Sequence, residues 1–389
     1  DPVAVKLPHL EGKGLRTVFG CPVKDYIPKD HFPPKELKRL DRYSQFALLA
    51  AEQAMKDAFT SKEEIDKLNK DRCGVIWGTG IGGIQSTETE VTKATLADSD
   101  KTGARFDPFY VIRMISNIAG GYIAIRNGFK GINLTTVSAC SSSANAIIEA
   151  AHYIEQGKAD LILSGGSEAA LSLAGIGGFN AMKALSTRND DPGAASRPFD
   201  RDRDGFVLGE GGAALILEDY EHAKKRNAHI YAFLSGKAVS CDAFNLVAPH
   251  PEGIGAIAVM KGSLDDASLN PKNIDYINAH GTSTPVGDGI EIEAIKTAFG
   301  KDVYKLNISS TKSVTGHLLG AAGALESIVC LQAIEHQIVP PTINTQNIDL
   351  DPKINYTLHK AQSRNIQHVM SNSFGFGGHN ATIIFSKLE

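Results

Sequence analysis

Thr135-Thr136-Val137-Ser138-Ala139-Cys140-Ser141-Ser142-Ser143-Ala144 is the stretch whose reading decides the fold. Just before it, residues 132–137 read as a short strand rich in β-formers. Just after it, Ala144, Ile147, Ile148, Ala151 and Ile154 recur at helical spacing, and Gly157 is a stop signal. Cys140 is therefore expected where a strand turns sharply into a helix. Free N–H groups and the positive end of a helix favour a thiolate over a thiol, and the thiolate is the nucleophile. The small residues on both sides are expected to keep the sulfur accessible. A cysteine taken at random is more often a small buried hydrophobe. The position, the Ser/Ala neighbours and two histidine motifs weigh against that reading here.

A chain of 389 residues is too long for one ordinary core, so two domains or two fused halves are expected. The halves are placed at residues 1–229 and 230–389. Hydrophobic residues at 42% and charged residues at 22% fit an ordinary soluble globular protein. A net charge of −4 gives no basic field, which argues against a nucleic-acid partner. No apolar run approaches the ~20 residues that span a bilayer. Asp1-Pro2-Val3-Ala4 lacks the charged-then-apolar pattern of a signal peptide. Cys21, Cys73, Cys140, Cys241 and Cys330 are scattered, odd in number and without CxxC spacing. Neither a disulfide framework nor a zinc site follows, and a reducing cytoplasmic compartment is expected.

Working outward from Cys140, residues 73–77 read as a buried strand followed by Gly78-Thr79-Gly80-Ile81-Gly82-Gly83. That loop lacks the spacing of a dinucleotide or P-loop, so close packing around a neighbouring site is the preferred reading. Residues 160–164 form a strand that ends in Gly165-Gly166-Ser167-Glu168, and residues 213–218 form another. Ser44 is expected to cap a helix to Phe59, and the charged residues 35–42 to form a solvated helix face. In the second half, strands are expected at 230–239, 274–279 and 306–310. Helices are expected at 254–264, 287–299 and 318–334, and closing strands around Met370 and at 380–385. Asn133-Leu134-Thr135-Thr136 before one helix echoes Asn307-Ile308-Ser309-Ser310 before another. The expectation is a duplicated α/β fold with mainly parallel sheets covered on both faces. Sites in such sheets form beyond the carboxyl ends of the strands, where Cys140, His280 and His317 would converge.

His280 lies in Asn278-Ala279-His280-Gly281-Thr282-Ser283-Thr284-Pro285, and His317 in Lys312-Ser313-Val314-Thr315-Gly316-His317. Each follows a strand and sits among small residues and hydroxyls; the other ten histidines read as ordinary polar residues. One Cys with one His could make a hydrolase pair. Two histidines with no carboxylate in their motifs point elsewhere. Neutral imidazoles that donate N–H can hold a developing enolate oxygen in a dry site. That suits decarboxylation of a malonyl thioester followed by carbon–carbon bond formation.

These motifs, with Lys312 to Gly323 read through and Asn372-Ser373-Phe374-Gly375-Phe376-Gly377-Gly378, resemble the β-ketoacyl-[acyl-carrier-protein] synthases, condensing enzymes of the thiolase-like fold. The likeness runs from about Cys21 to the C-terminus and is closest to the type II enzymes of dissociated bacterial fatty-acid synthesis. It implies a duplicated, layered α-β-α-β-α fold and a homodimer. It implies an acyltransferase that elongates acyl chains with malonyl-acyl carrier protein. By resemblance, Cys140 accepts the acyl chain, His280 and His317 support decarboxylation, and Lys312 orders the His317 region through charge. The N–H groups of Cys140 and Phe374 would form the oxyanion hole, with Phe374 also gating the acyl pocket. Thr282 and Thr284 would meet the pantetheine arm, Ile81 and Phe179 would line the pocket, and Glu326 would make a buried polar contact near the histidines. Lys38, Arg39 and Lys183 match basic positions that meet the acidic carrier protein.

No metal and no cofactor are implied, apart from a structural monovalent cation that the family can carry. The alternatives are a ketosynthase of a polyketide or specialised lipid pathway and a non-catalytic partner subunit. A thiolase and a cysteine hydrolase stand further off. Two departures stand out. The family usually opens on a Val-rich strand and a Thr-Gly turn, and the 389 residues begin after them, so the first half is expected to lack its central strand. His379 stands where bacterial relatives often carry threonine, and no role is assigned to it.

Overall fold

The buried run Cys73–Gly78 needs cover on both faces, and the chain provides it. The computed structural model describes residues 4–99 and 103–388. The first sheet contains β1 (Cys73–Gly78), β2 (Asn133–Thr136), β3 (Leu161–Glu168) and β4 (Gly211–Glu218), in the order β2-β1-β3-β4. The second contains β5 (Phe233–Cys241), β6 (Tyr276–Asn278), β7 (Asn307–Ser309), β8 (His368–Gly375) and β9 (His379–Ser386), in the order β7-β6-β8-β9-β5. In both sheets the first three strands in that order run parallel and the fourth antiparallel. The second sheet adds β5, antiparallel to β9. The sheets are therefore mixed rather than mainly parallel. Among the described residues, the place without a counterpart in the first sheet is the edge beside β4, so the expected gap at the sheet's centre does not occur: β1 and β3 fill it.

Helices on both sides position the sheets. Helices α1 (Arg42–Ala58) and α2 (Ile118–Asn127) cover the outer face of the first sheet. Helix α3 (Ser142–Glu155) follows β2. Helix α4 (Leu173–Ala181) follows β3. Helices α5 (Ile254–Asp266) and α6 (Gly287–Phe299) cover the outer face of the second sheet, and α7 (Ala322–His336) follows β7. Helices α3 and α7 form the shared middle layer, with Ile147, Ile148, Ala324 and Ile334 packed against Ala213, Val369 and Ile383 from both sheets. The result is the duplicated α-β-α-β-α layering of the thiolase-like fold. Ile147 is fully buried at its centre. Truncating such a side chain to Ala costs about 2–5 kcal/mol.

Several boundaries differ from the sequence expectation for physical reasons. Asp41, not Ser44, caps α1, accepting the N–H of Tyr43, while Ser44 is buried within the helix. Within the charged segment only residues 35–37 and Arg42, which opens α1, are helical, so no long solvated face forms there. Strand β3 runs on to Glu168, because Gly165 lets its neighbour approach: a Cβ there would lie 2.1 Å from the Ala213 carbonyl oxygen. Strand β5 starts at Phe233 rather than at residue 230. A tight turn at Leu319–Ala321 delays α7 until Ala322.

Candidate active site

The turn between β2 and α3 is built by short side chains. Ala139 adopts a left-handed φ of 50°, and the Ser142 hydroxyl donates to the Ala139 carbonyl while accepting the Ser138 N–H. The Ser141 hydroxyl is shared between the carbonyls of Ser373 (3.0 Å) and His379 (2.8 Å), which ties this turn to the second sheet. Gly375 makes that approach possible, since a Cβ on it would stand 2.7 Å from the Ser138 carbonyl oxygen. Helix α3 sits equally close to β1, where a Cβ on Gly78 would lie 2.4 Å from the Ser143 nitrogen. The glycines around the site thus serve close packing, as their spacing indicated.

Cys140 is only 6% exposed. Burial pushes its thiol up to about 12, while Lys312 and the N–H groups of Phe376 and of Cys140 itself pull the other way. This corrects two expectations. The resting group is a thiol, because lost hydration outweighs the helix end, and small neighbours do not expose it to bulk water. The sulfur instead lines a cavity of about 380 Å³ shared with His280, His317, Thr282, Thr284, Lys183 and Phe374. The Thr282 and Thr284 hydroxyls lie 3.1 Å apart on that wall.

The His280 and His317 rings stand 5.3 Å apart, nearly perpendicular. Among the described residues, Nδ1 of His280 and both ring nitrogens of His317 have no hydrogen-bond partner, and all three are buried. Buried polar atoms are normally paired, so this triplet of free nitrogens in a cavity is a site prepared for a ligand. Burial, then the Lys312 charge, holds both imidazoles well below 6.5, and His317 adds to this for His280. Both rings are accordingly neutral at pH 7. The His317 backbone is fixed by donating to the Val207 carbonyl (2.8 Å) and accepting from Gly209 (2.9 Å). His280 is fixed by Glu291, whose carboxylate accepts the N–H of His280 (2.8 Å) and of Gly281 (2.7 Å). Asp288, one turn earlier on α6, accepts from Phe199, Ser283 and Thr284 and so shapes the threonine loop.

Lys312 and Glu326 form a fully buried ion pair behind the histidines. Lys312 is thus no surface lysine and Glu326 no exposed glutamate. Burial raises the Glu326 carboxyl, against the pull of Lys312. Glu326 Oε2 and Asn278 Oδ1 are buried and have no partner among the described residues.

Other expected residues lie further out. The amide that reaches the Cys140 sulfur is that of Phe376, not Phe374; the Phe374 ring faces His280 at 5.7 Å. The two are separated by the single residue Gly375, and motif reading alone did not distinguish them. Ile81 lies outside the cavity wall, 36% exposed. Phe179 is one layer back, edge-on to Phe206 at 5.3 Å. Phe206 itself lines the cavity and stands edge-on to His317 at 5.4 Å. Lys38 and Arg39 are exposed, with the Arg39 guanidinium over the Phe109 ring. Phe206, Phe376, Asp288 and Glu291 line the cavity and were not singled out from the sequence. The spacing of Asp288 and Glu291, three apart on one helix face just after the His280 motif, was the available signal.

The convergence of one thiol and two neutral imidazoles agrees with the comparisons. The β-ketoacyl synthase N-terminal domain model matches residues 28–223, and the C-terminal domain model matches residues 231–346. The chain belongs to the β-ketoacyl synthase family. It is 46% identical over 371 residues to 3-oxoacyl-[acyl-carrier-protein] synthase 2 of a Synechocystis species, covering 95% of this chain and 88% of that protein. It is 44% identical over 380 residues to the synthase of the same name from Coxiella burnetii, covering 98% and 90%. A crystal structure of a β-ketoacyl synthase from Burkholderia phymatum superposes with a TM-score of 0.90 at 33% identity, covering 100% of this chain and 93% of that one. A type II polyketide ketosynthase, solved in complex with its acyl-carrier protein, superposes with a TM-score of 0.84 at 32% identity, covering 99% and 92%. This β-ketoacyl synthase is thus an acyltransferase of the condensing class. Among the described residues no helix is long and apolar enough to cross a membrane.

Proposed function

We propose that this β-ketoacyl synthase catalyses the elongation step of type II fatty-acid synthesis, a decarboxylating condensation of an acyl thioester with malonyl-acyl carrier protein. The observation that carries the reading is the set of partnerless ring nitrogens on two neutral histidines in the cavity that also holds the Cys140 thiol. The 44–46% identity to 3-oxoacyl synthases, against 32% to the polyketide ketosynthase, favours fatty-acid over polyketide elongation.

The chemistry has two stages. Cys140 sulfur attacks the carrier-bound acyl carbonyl; the new S–C bond replaces the carrier's C–S bond, and the thiol proton leaves with the carrier thiolate. The N–H groups of Cys140 and Phe376 would hold the oxyanion. Next, the malonyl C–CO2 bond breaks, CO2 departs, and the electron pair becomes an enolate whose oxygen His280 and His317 would polarise by N–H donation. The enolate carbon attacks the acyl-Cys carbonyl, a C–C bond forms, and the sulfur leaves as thiolate to recover a proton. Lys312 would act through the histidines, keeping them neutral. Thr282 and Thr284 would meet the pantetheine arm, Ile81 and Phe179 would border the acyl chain, and Phe374 would brace His280.

The partner carrier protein would be met by Lys38, Arg39 and, at the cavity, Lys183. A homodimer is proposed through the outer edge of β2, which among the described residues pairs with β1 alone. Leu134 on that edge is 40% exposed, and Val137 and Ile125 nearby are 57% and 78% exposed. The boundary between halves is proposed at residues 229 and 230, and the compartment as cytoplasmic, supported by five free cysteines.

Intact mass spectrometry tests the reading. The chain should gain one acyl mass from acyl-carrier protein and lose it to a 3-oxoacyl product when malonyl-carrier protein is added. An acyl mass released only as free acid would make the site a hydrolase instead.

A further inference from the structure

Glu168 ends β3 at the interface of the two halves, fully buried and outside the cavity wall. Its carboxylate accepts four hydrogen bonds. One oxygen takes the N–H of Gly80 (2.6 Å) and Gly320 (3.1 Å). The other takes the N–H of Ile81 (3.2 Å) and the Thr79 hydroxyl (3.1 Å). Residues 79–81 leave the first sheet, whereas Gly320 belongs to the turn just after His317. Leu319, in the same turn, lines the cavity with a left-handed φ of 48°. The two segments touch so closely that a Cβ on Gly320 would lie 2.2 Å from the Gly80 nitrogen.

We propose that Glu168 is a positioning residue that locks the loop leaving β1 to the turn following His317, and thereby sets the cavity wall used in decarboxylation. The inference rests on the condensing reading above. All four partners donate and none accepts, so the cradle is built for an anion. Burial pushes the carboxyl up to about 7 against those four donors. No other side chain among the described residues bonds to the Gly320 amide. The His317 backbone has its own hold on Val207 and Gly209, so the expected consequence of losing Glu168 is a displaced Leu319 wall and a loosened His317 rather than a lost fold.

Two substitutions separate the partners. In Glu168→Gln the carbonyl oxygen can keep Gly80 and Gly320, and the amide can donate to Thr79, so only the Ile81 N–H loses its acceptor. In Glu168→Ala all four are lost. CO2 release from malonyl-carrier protein is measured per active site, titrated by alkylation of Cys140. It should fall about tenfold or more in the Ala variant and at most about threefold in the Gln variant, in kcat with KM unchanged. Equal losses in both variants, or an Ala variant within about threefold of wild type, would overturn the proposal. If the Ala variant does not fold, hydrogen exchange on the wild-type protein decides. The amides of Gly80, Ile81 and Gly320 should open as one unit, and rates differing by more than about tenfold would refute a single lock. A wild-type protein that releases no CO2 would sink the condensing reading, while the exchange experiment would still test the lock.

Discussion

Strand β1 ends in Gly78 and runs into residues 79–83, where no side chain titrates; β6 ends in Asn278 and runs into His280, Thr282 and Thr284. The two loops stand at equivalent places in the two sheets. Each is pinned from behind by one buried carboxylate, Glu168 for Gly80 and Ile81, Glu291 for His280 and Gly281. Burial pushes both carboxyls up to about 7. The turns after β2 and β7 are also equivalent, and they carry Cys140 and His317. The comparison teaches a division of labour. Both halves keep the same cradle of backbone amides on a carboxylate, but in the proposed reaction the first half would supply the nucleophile and the second the imidazoles that meet the enolate.

The largest expected effect breaks or confirms that division directly. Cys140→Ala should abolish acyl loading, with condensation down on the order of 10³-fold or more. It should still release CO2 from malonyl-carrier protein, because the second half is intact. His317→Ala should do the reverse, losing about 10²–10³-fold in CO2 release while Cys140 still loads. Loading is read by intact mass and CO2 by trapping. If either variant loses both steps together, the halves do not divide the work.

The next effect tests why the second half has neutral rings. Lys312→Ala alone strands Glu326 in the core and should cost about 3–5 kcal/mol in chemical denaturation. The paired change Lys312→Met with Glu326→Leu removes both charges and should fold with near-parental stability. The pH dependence then separates fold from chemistry. Both imidazoles titrate well below 6.5 in the native state. Wild-type CO2 release should therefore show no acid limb at pH 6.5, since protonation comes only at lower pH. Stability runs the same way: above 6.5 the contribution is full. As pH falls through that value the unfolded chain takes up protons that the native rings refuse, and stability declines. In the paired variant the lowering influence of Lys312 is gone, so the acid limb should move up towards 6.5. An unmoved limb would mean burial alone sets these rings.

How far this was legible follows from the kind of signal each residue carries. The β2–Cys140–α3 element, α6 from Gly287 and the two histidine motifs could be read because periodicity and short motifs are local. The amide beside Cys140 was expected at Phe374 and lies at Phe376, since which of two nearby amides turns toward a sulfur depends on the β8–β9 turn in three dimensions. The thiolate expectation failed because helix-end chemistry is local, whereas desolvation comes from the C-terminal half folding over Cys140 through Ser141, Ser373 and Gly375. Glu168 and Glu291 carried no motif of their own. For Glu168 the reason is distance, since its donors lie up to 152 residues away in sequence, as Gly320 does; Glu291 stands only ten and eleven residues from its donors, and its spacing from Asp288 was the one local signal.

The smallest effect concerns the sheets themselves. Strand β9 is bonded on both sides, by β8 and β5, whereas among the described residues β4 is bonded only by β3. In an antiparallel pair, alternate residues point their amides toward the partner and the others away. Every second amide of β4 therefore lacks a ladder acceptor, while the corresponding amides of β9 donate to β5. Hydrogen exchange should show an alternating pattern of fast and slow amides along Gly211–Glu218 and uniform slowness along His379–Ser386, with catalysis untouched. Because α1 packs on β4 and covers its face, the fast amides should still be slower than those of a free loop. Uniform protection along β4 would mean that a further strand completes the first sheet as β5 completes the second, and the two halves would then match strand for strand.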